Sequence, residues 1–111
     1  MYVILWRFRI DPALRAKFER AYGPKCDWAK FFSASKEYLG TELLKDDERD
    51  GEYVTIDRWK SEGAFNEFIR DHEQDYDRLD RRCEALTLSE SRIGAYGDPS
   101  AAKIGPPPTR G

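Results

Sequence analysis

The sequence predicts an α+β fold of the ferredoxin-like kind, βαββαβ, in which a four-stranded antiparallel sheet carries both helices on one face. Three observations predict it. Residues 2–10, "YVILWRFRI", are dense in β-branched and aromatic types, as strands are. Two further strand-like runs, 38–46 and 52–59, flank one acidic turn, "DDERDG", which reads as a hairpin with a long loop. Residues 61–86 then carry apolar side chains at helical spacing and lead into a last alternating run. A chain of 111 residues can bury one core but not two.

In the first strand Tyr2, Ile4, Trp6, Phe8 and Ile10 share one face. Val3, Leu5, Arg7 and Arg9 share the other, an amphipathic surface that a homodimer packing sheet on sheet would cover. Asp11-Pro12 ends the strand, since Asp caps a helix and Pro suits its first position. Leu14, Phe18 and Tyr22 recur four apart until Gly23-Pro24 interrupts, and Asp27 restarts a helical piece holding Trp28, Phe31 and Phe32. The first helix is therefore expected to be kinked or double. Ser61 caps one long second helix. At about 100° per residue its apolar positions Phe65, Phe68, Ile69, Tyr76, Leu79, Cys83 and Leu86 fall within roughly 60° of one line, and His72 lies about 20° from it. "LTLSESRIGAY", 86–96, alternates as the last strand. The domain is expected to span 1–97. Residues 98–111 hold four of the six prolines without periodicity, the composition of a flexible tail or an arm laid on a neighbouring subunit.

Composition excludes several classes of function. No run approaches the roughly 18 apolar residues of a membrane span. The first strand reaches Arg7 and Arg9 without a basic segment before it, so it does not read as a secretion signal, and the expected location is the cytoplasm. A net charge of −2 lacks the basic footprint of a nucleic-acid binder. The RNA-recognition module shares the strand order, but here its aromatic run becomes "RDGEYVTI", with acid where phosphates would approach. Cys26 and Cys83 are too far apart for a zinc or redox motif and read as reduced packing residues.

The segments "YLGTELLKD", "YVTIDRWKSEGAFNEF" and "CEALTLSESRIGAY", in that order and spacing, resemble the antibiotic biosynthesis monooxygenase-like family of dimeric α+β barrels. The likeness covers roughly residues 2–97, and the Trp-x-Ser-x-x-Ala-Phe run from Trp59 to Phe65 is its most specific part. The resemblance implies a homodimer with facing sheets and a ligand pocket in each subunit between sheet and helices. It also implies a small aromatic, quinol or polyketide-like substrate, oxidised without a cofactor. The family includes cofactor-independent oxygenases, haem-degrading enzymes and proteins with no known reaction. In the haem-degrading branch the catalytic tryptophan falls on Phe68 here and the haem-ligating histidine near Arg78, and the first-strand asparagine is missing. Haem degradation by that mechanism is not expected.

An oxygenase without metal or flavin needs a base to form a phenolate or enolate and a dry apolar pocket for substrate and oxygen. His72, the only histidine, is the candidate base by residue type. The competing reading is a core ring bonded to a backbone carbonyl or a tyrosine hydroxyl. Asp57 and Arg58 must point to opposite sheet faces, so Asp57 is a candidate to orient His72, or else pairs with Arg7, Arg9 or Arg92 across strands. Trp6, Phe8 and Tyr53, with Phe68 and Tyr76 from the helical stripe, are the candidate substrate contacts, or else core. Trp28, Phe31 and Phe32 follow the kink in the first helix, where a short helix could act as a lid. The loop from Asp46 to Asp57 imitates a calcium loop, but its flanks are strands and its last position is not Glu. One histidine cannot build a two-histidine iron site, and there is no phosphate loop or nucleophile elbow. No cofactor is called for. The alternative function is a non-catalytic small-molecule-binding or stress-related dimer.

Overall fold

The computed structural model describes residues 1–99. Of the Pro-rich segment expected over 98–111, everything after Pro99 lies outside the described residues. The elements run β1 (Tyr2–Arg9), α1 (Arg15–Tyr22), α2 (Asp27–Phe32), β2 (Tyr38–Lys45), β3 (Glu52–Trp59), α3 (Glu62–Asp71), α4 (Glu73–Cys83) and β4 (Ser89–Gly97). Single 3-10 turns at Pro12–Leu14 and Glu84–Leu86 lead into α1 and out of α4. The sheet order is β2-β3-β1-β4, and each neighbouring pair is antiparallel. This is the ferredoxin-like arrangement the sequence predicts.

Local chemistry accounts for most boundaries. The Asp11 carboxylate accepts from Ala13 N at 2.9 Å, with Pro12 at the first helical position. Ser61 Oγ accepts from Ala64 N at 3.1 Å and starts α3. In the hairpin loop Asp46 Oδ1 accepts from the backbone of Glu48 and Arg49, at 2.8 and 3.0 Å, which holds its pKa below the usual range. That carboxylate closes a turn, as the strand-flanked reading of the loop requires. Gly51 follows at φ +82°, and its carbonyl accepts from Ile10 N at 2.7 Å. A Cβ at Gly51 would sit 2.6 Å from Ile10 O. Gly51→Ala is therefore expected to destabilise by more than about 1 kcal/mol, read as a lower denaturant midpoint at unchanged m-value.

Two expectations are corrected. The single helix over 61–86 is broken at His72, whose φ of −122° and ψ of 27° leave helical geometry. Both the backbone N–H of His72 and its ring Nδ1 lie 3.0 Å from Phe68 O. A side chain that enters the i to i−4 ladder in this way is a recognised cause of a helix break. The last strand begins at Ser89 and not at Leu86, because Glu84–Leu86 form the 3-10 turn and Leu88 N donates to Arg9 O at 2.7 Å.

The helices cover one sheet face, and the core lies between. From the sheet come Tyr2, Ile4, Phe8, Ile10, Tyr53 and Trp59; from the helices come Phe18, Tyr22, Trp28, Phe32, Phe68, Leu79 and Cys83. The opposite face presents Val3, Leu5, Val54 and Ile56, half-buried, with Leu44 and Tyr96 exposed at its margins. The Arg58 guanidinium and Glu42 carboxylate pair across this face at 2.5 Å. Among the described residues no helix is long and apolar enough to cross a membrane.

Candidate functional site

The alternation of β3 puts Tyr53, Thr55, Asp57 and Trp59 on the helix-facing side. Thr41 of β2 stands directly across from Asp57. Thr41, Thr55 and Asp57 thus form a polar patch on an otherwise apolar surface. A cleft, partly open to solvent, lies over that patch. Its floor is Trp6 and Phe8 of β1, Thr41, Thr55, Asp57, and Glu90 of β4. Its roof is Tyr22 of α1, Trp28 and Phe32 of α2, and Tyr76 and Asp80 of α4.

Asp57 is the chemically distinctive group. Thr41 Oγ1 donates to its Oδ1 at 2.6 Å, and Tyr38 O–H is hydrogen-bonded to Thr41 in turn. Burial pushes the Asp57 carboxyl up to about 6, against the opposing pull of the Thr41 hydrogen bond. No arginine or lysine among the described residues pairs with it, so the expected cross-strand ion pair with Arg7, Arg9 or Arg92 does not form. Arg92 instead donates to the Tyr2 hydroxyl at 3.3 Å. A carboxylate without a counter-ion, facing an aromatic cleft and titrating near neutrality, is equipped to accept a proton.

The tyrosines of the roof have the complementary property. Burial pushes Tyr76 up to about 12, with Asp80, Glu90, Asp57 and Asp77 adding to the shift through charge. Tyr22 is raised further, chiefly by burial, and the Trp28 side chain opposes. Both phenols stay protonated at neutral pH and can donate to a ligand oxygen.

Three of the five expected substrate contacts, Trp6, Phe8 and Tyr76, line the cleft. The other two sit elsewhere. Tyr53 is 2 % exposed, packs on Phe18 with ring centroids 4.8 Å apart, and donates its hydroxyl to Glu19 Oε2 at 2.5 Å. Phe68 is 4 % exposed between Phe31, Phe32 and Trp59. His72 also lies off the cleft lining. Its ring stacks on Phe68 with centroids 4.2 Å apart and meets Phe31 edge-on. The Phe68 carbonyl only accepts, so Nδ1 carries the proton in that bond. Asp57 makes its hydrogen bond to Thr41 and none to His72, so it does not orient the ring. His72→Phe is accordingly expected to cost about 1 kcal/mol of stability, measured by denaturant unfolding, and to leave the affinity of cleft ligands unchanged in calorimetry.

Tyr22, Thr41, Thr55, Asp80 and Glu90 enter the site without having been singled out from sequence. Asp80 carried a signal, since it lies four residues after Tyr76 at the margin of the apolar stripe. Glu90 carried none, because its place opposite Phe8 depends on the β1–β4 register.

The sequence pattern that defines the antibiotic biosynthesis monooxygenase family matches residues 1–74. The chain belongs to that family. No curated protein matches it. Among solved structures, this antibiotic biosynthesis monooxygenase family member is similar to SnoaB, a cofactor-independent oxygenase from Streptomyces nogalater. The two are 19% identical with a TM-score of 0.66, over 90% of this chain and 94% of SnoaB. A protein of Deinococcus radiodurans assigned to the same family is 13% identical with a TM-score of 0.71, over 96% of this chain and all of the other. One from Caulobacter crescentus gives 16% and 0.68, over 86% of each chain. At these identities the neighbours show the fold alone.

Proposed function

We infer that this family member is a cofactor-independent oxygenase acting on a small aromatic, quinol or polyketide-like molecule in the cleft. The observation that carries the reading is Asp57, a half-buried carboxylate with no basic partner among the described residues, facing an aromatic-walled space. Asp57 accepts the proton of a phenolic or enolic hydroxyl, the role that residue type alone gave to His72. A phenol of pKa about 10 passes its proton to a carboxyl near 6 at a cost of about 5 kcal/mol. The Tyr22 or Tyr76 hydroxyl offsets part of this cost by donating to the anion that forms. The electron-rich anion then bonds dioxygen at carbon, and the peroxide so formed breaks its O–O bond to leave one oxygen on the substrate and release the other as water, the substrate supplying all four electrons while the aromatic walls keep bulk water from the reacting atoms.

The partner is a second copy of the chain. The half-buried outer sheet face, with Val3, Leu5, Val54 and Ile56 at its centre, is too apolar to stay bare, and the Arg58–Glu42 pair would be enclosed on dimer formation. Ile56→Glu is expected to convert a dimer to a monomer in light scattering. A wild-type monomer at the same concentration would contradict this assignment.

The function itself is tested by oxygen uptake on a reduced naphthoquinone, measured above the spontaneous rate. Protein-dependent uptake that is lost on blocking the cleft with Thr55→Trp supports the oxygenase. Tight quinol binding with no uptake supports the non-catalytic ligand-binding reading instead.

A further inference from the structure

Tyr38 and Thr41 lie three apart on β2, a spacing that in a regular strand sends two side chains to opposite faces of the sheet. Here both reach the helix side. Thr41 lines the cleft, and the Tyr38 ring packs on Phe32 and Trp59 with centroids 5.6 and 5.3 Å apart. The cause is a bulge: Tyr38 pairs with Trp59 and Gly40 with Arg58, so β2 carries one residue, Leu39, more than β3 at this point. Gly40 sits at φ +130°, a conformation that L side chains rarely adopt. The bulge turns Tyr38 back onto Thr41, and the two hydroxyls are hydrogen-bonded.

Donor counting fixes the direction of the chain that results. Thr41 has one hydroxyl proton, and it goes to Asp57 Oδ1 at 2.6 Å. Tyr38 is then the donor to Thr41 Oγ1. Burial holds the Tyr38 phenol above its ordinary range, Thr41 opposes, and the charge of Asp57 adds to the rise, so the phenol keeps the proton it donates. Two donors in series end on one carboxylate oxygen, each polarising the next. Among the described residues no hydrogen bond reaches Asp57 Oδ2. The other ionisable groups of the cleft come from elsewhere: Tyr22 of α1, Tyr76 and Asp80 of α4, and Glu90 of β4, while β1 and α2 contribute Trp6, Phe8, Trp28 and Phe32. Of these groups Tyr76 feels the Asp57 charge, and none donates to the carboxylate among the described residues.

We propose that Tyr38 and Thr41 are positioning residues for the Asp57 base: their hydroxyl chain clamps Oδ1, leaves Oδ2 for the substrate hydroxyl, and favours the ionised carboxylate. The proposal rests on the oxygenase reading for what the carboxylate does, whereas the clamp is a property of the resting protein. In the proton transfer the substrate O–H bond breaks, its electron pair stays on the substrate oxygen, and the proton ends on Oδ2 while Thr41 stays bonded to Oδ1. Removing a donor from the charged form weakens that form, so without the clamp Asp57 holds its proton to a higher pH.

Carbon-detected NMR of the Asp57 carboxyl in the whole protein, assigned by its loss in Asp57→Asn, reads the clamp without turnover. In Thr41→Val, which keeps the shape and deletes the donor, the titration midpoint is expected about one pH unit above wild type. Tyr38→Phe should move it the same way by a smaller amount, and Thr41→Ser, which restores the donor, should return it to the wild-type position. The pH step of oxygen uptake should follow the carboxyl, so that Thr41→Val loses uptake near pH 6 and recovers it by about pH 8, whereas a damaged fold lowers uptake at every pH. Midpoints that stay in place in both Thr41→Val and Tyr38→Phe overturn the proposal, whatever the oxygen uptake. An uptake step that stays in place while the carboxyl moves overturns the positioning role. Midpoints that move in a protein that takes up no oxygen overturn the oxygenase reading and leave the clamp.

Discussion

Asp57→Asn is expected to make the protein more stable at pH 7 and to remove its oxygen uptake. The two effects share one cause. Folding raises the Asp57 carboxyl from an ordinary 3.8 to about 6 because the site penalises the charged form. The folded state therefore holds this proton more tightly than the unfolded chain. Whatever stability the group contributes is fully present below about pH 4 and lost as pH rises through about 6. At pH 7 the ionised carboxylate costs as much as about 3 kcal/mol. Asn keeps the shape and still accepts from Thr41 but carries no charge, so the stability gain should be largest at pH 7 and vanish near pH 4 in denaturant melts. The same substitution removes the proton acceptor, a loss of about 10²- to 10⁴-fold in turnover. A variant that gains stability while losing activity distinguishes a working group from a packing group, which would lose both.

Trp59→Ala is expected to have the largest structural effect. Trp59 is fully buried, with Phe32, Tyr38, Phe65 and Phe68 around it at centroid separations of 5.3–5.5 Å. It joins β2, β3, α2 and α3, so the cavity left behind cannot be filled by movement of one neighbour. The expected cost is about 3–5 kcal/mol, a large part of the roughly 5–15 kcal/mol available to a domain. Trp59→Phe should cost much less, because the indole N–H has no partner to lose. Urea unfolding of the two variants reads the difference directly.

Much of this molecule could be read from residue order, for reasons that particular elements make plain. The alternation in "YVILWRFRI" and "EYVTIDRW" reports which residues share a face, and the buried set of β1 and β3 follows it. The interruption at Gly23-Pro24 separates α1 from α2 as expected. The break at His72 escaped notice because a periodic stripe reports the mean direction of a helix and not the local hydrogen bonding of one ring. That same stripe brought His72 forward as a base, whereas the ring is turned to Phe68 and its carbonyl. Asp57 was legible in part: the run Tyr53, Thr55, Asp57, Trp59 places it among aromatic residues on one face. Its lack of a counter-ion was not legible, since Arg58 could be assigned to Glu42 only once β2 and β3 were in register. The presence of Asp80 and Glu90 in the cleft lining needed two long-range placements, α4 over the sheet and β4 beside β1, and periodicity carries neither.

The most direct test of Asp57 as the proton acceptor is the pH dependence of protein-dependent oxygen uptake on a reduced naphthoquinone, compared between wild type and Asp57→Asn. Wild-type uptake should rise with pH through about 6, as the carboxyl ionises, and level off above it. Asp57→Asn should show only residual uptake without that step. An unchanged step near pH 6 in the folded variant would contradict the assignment.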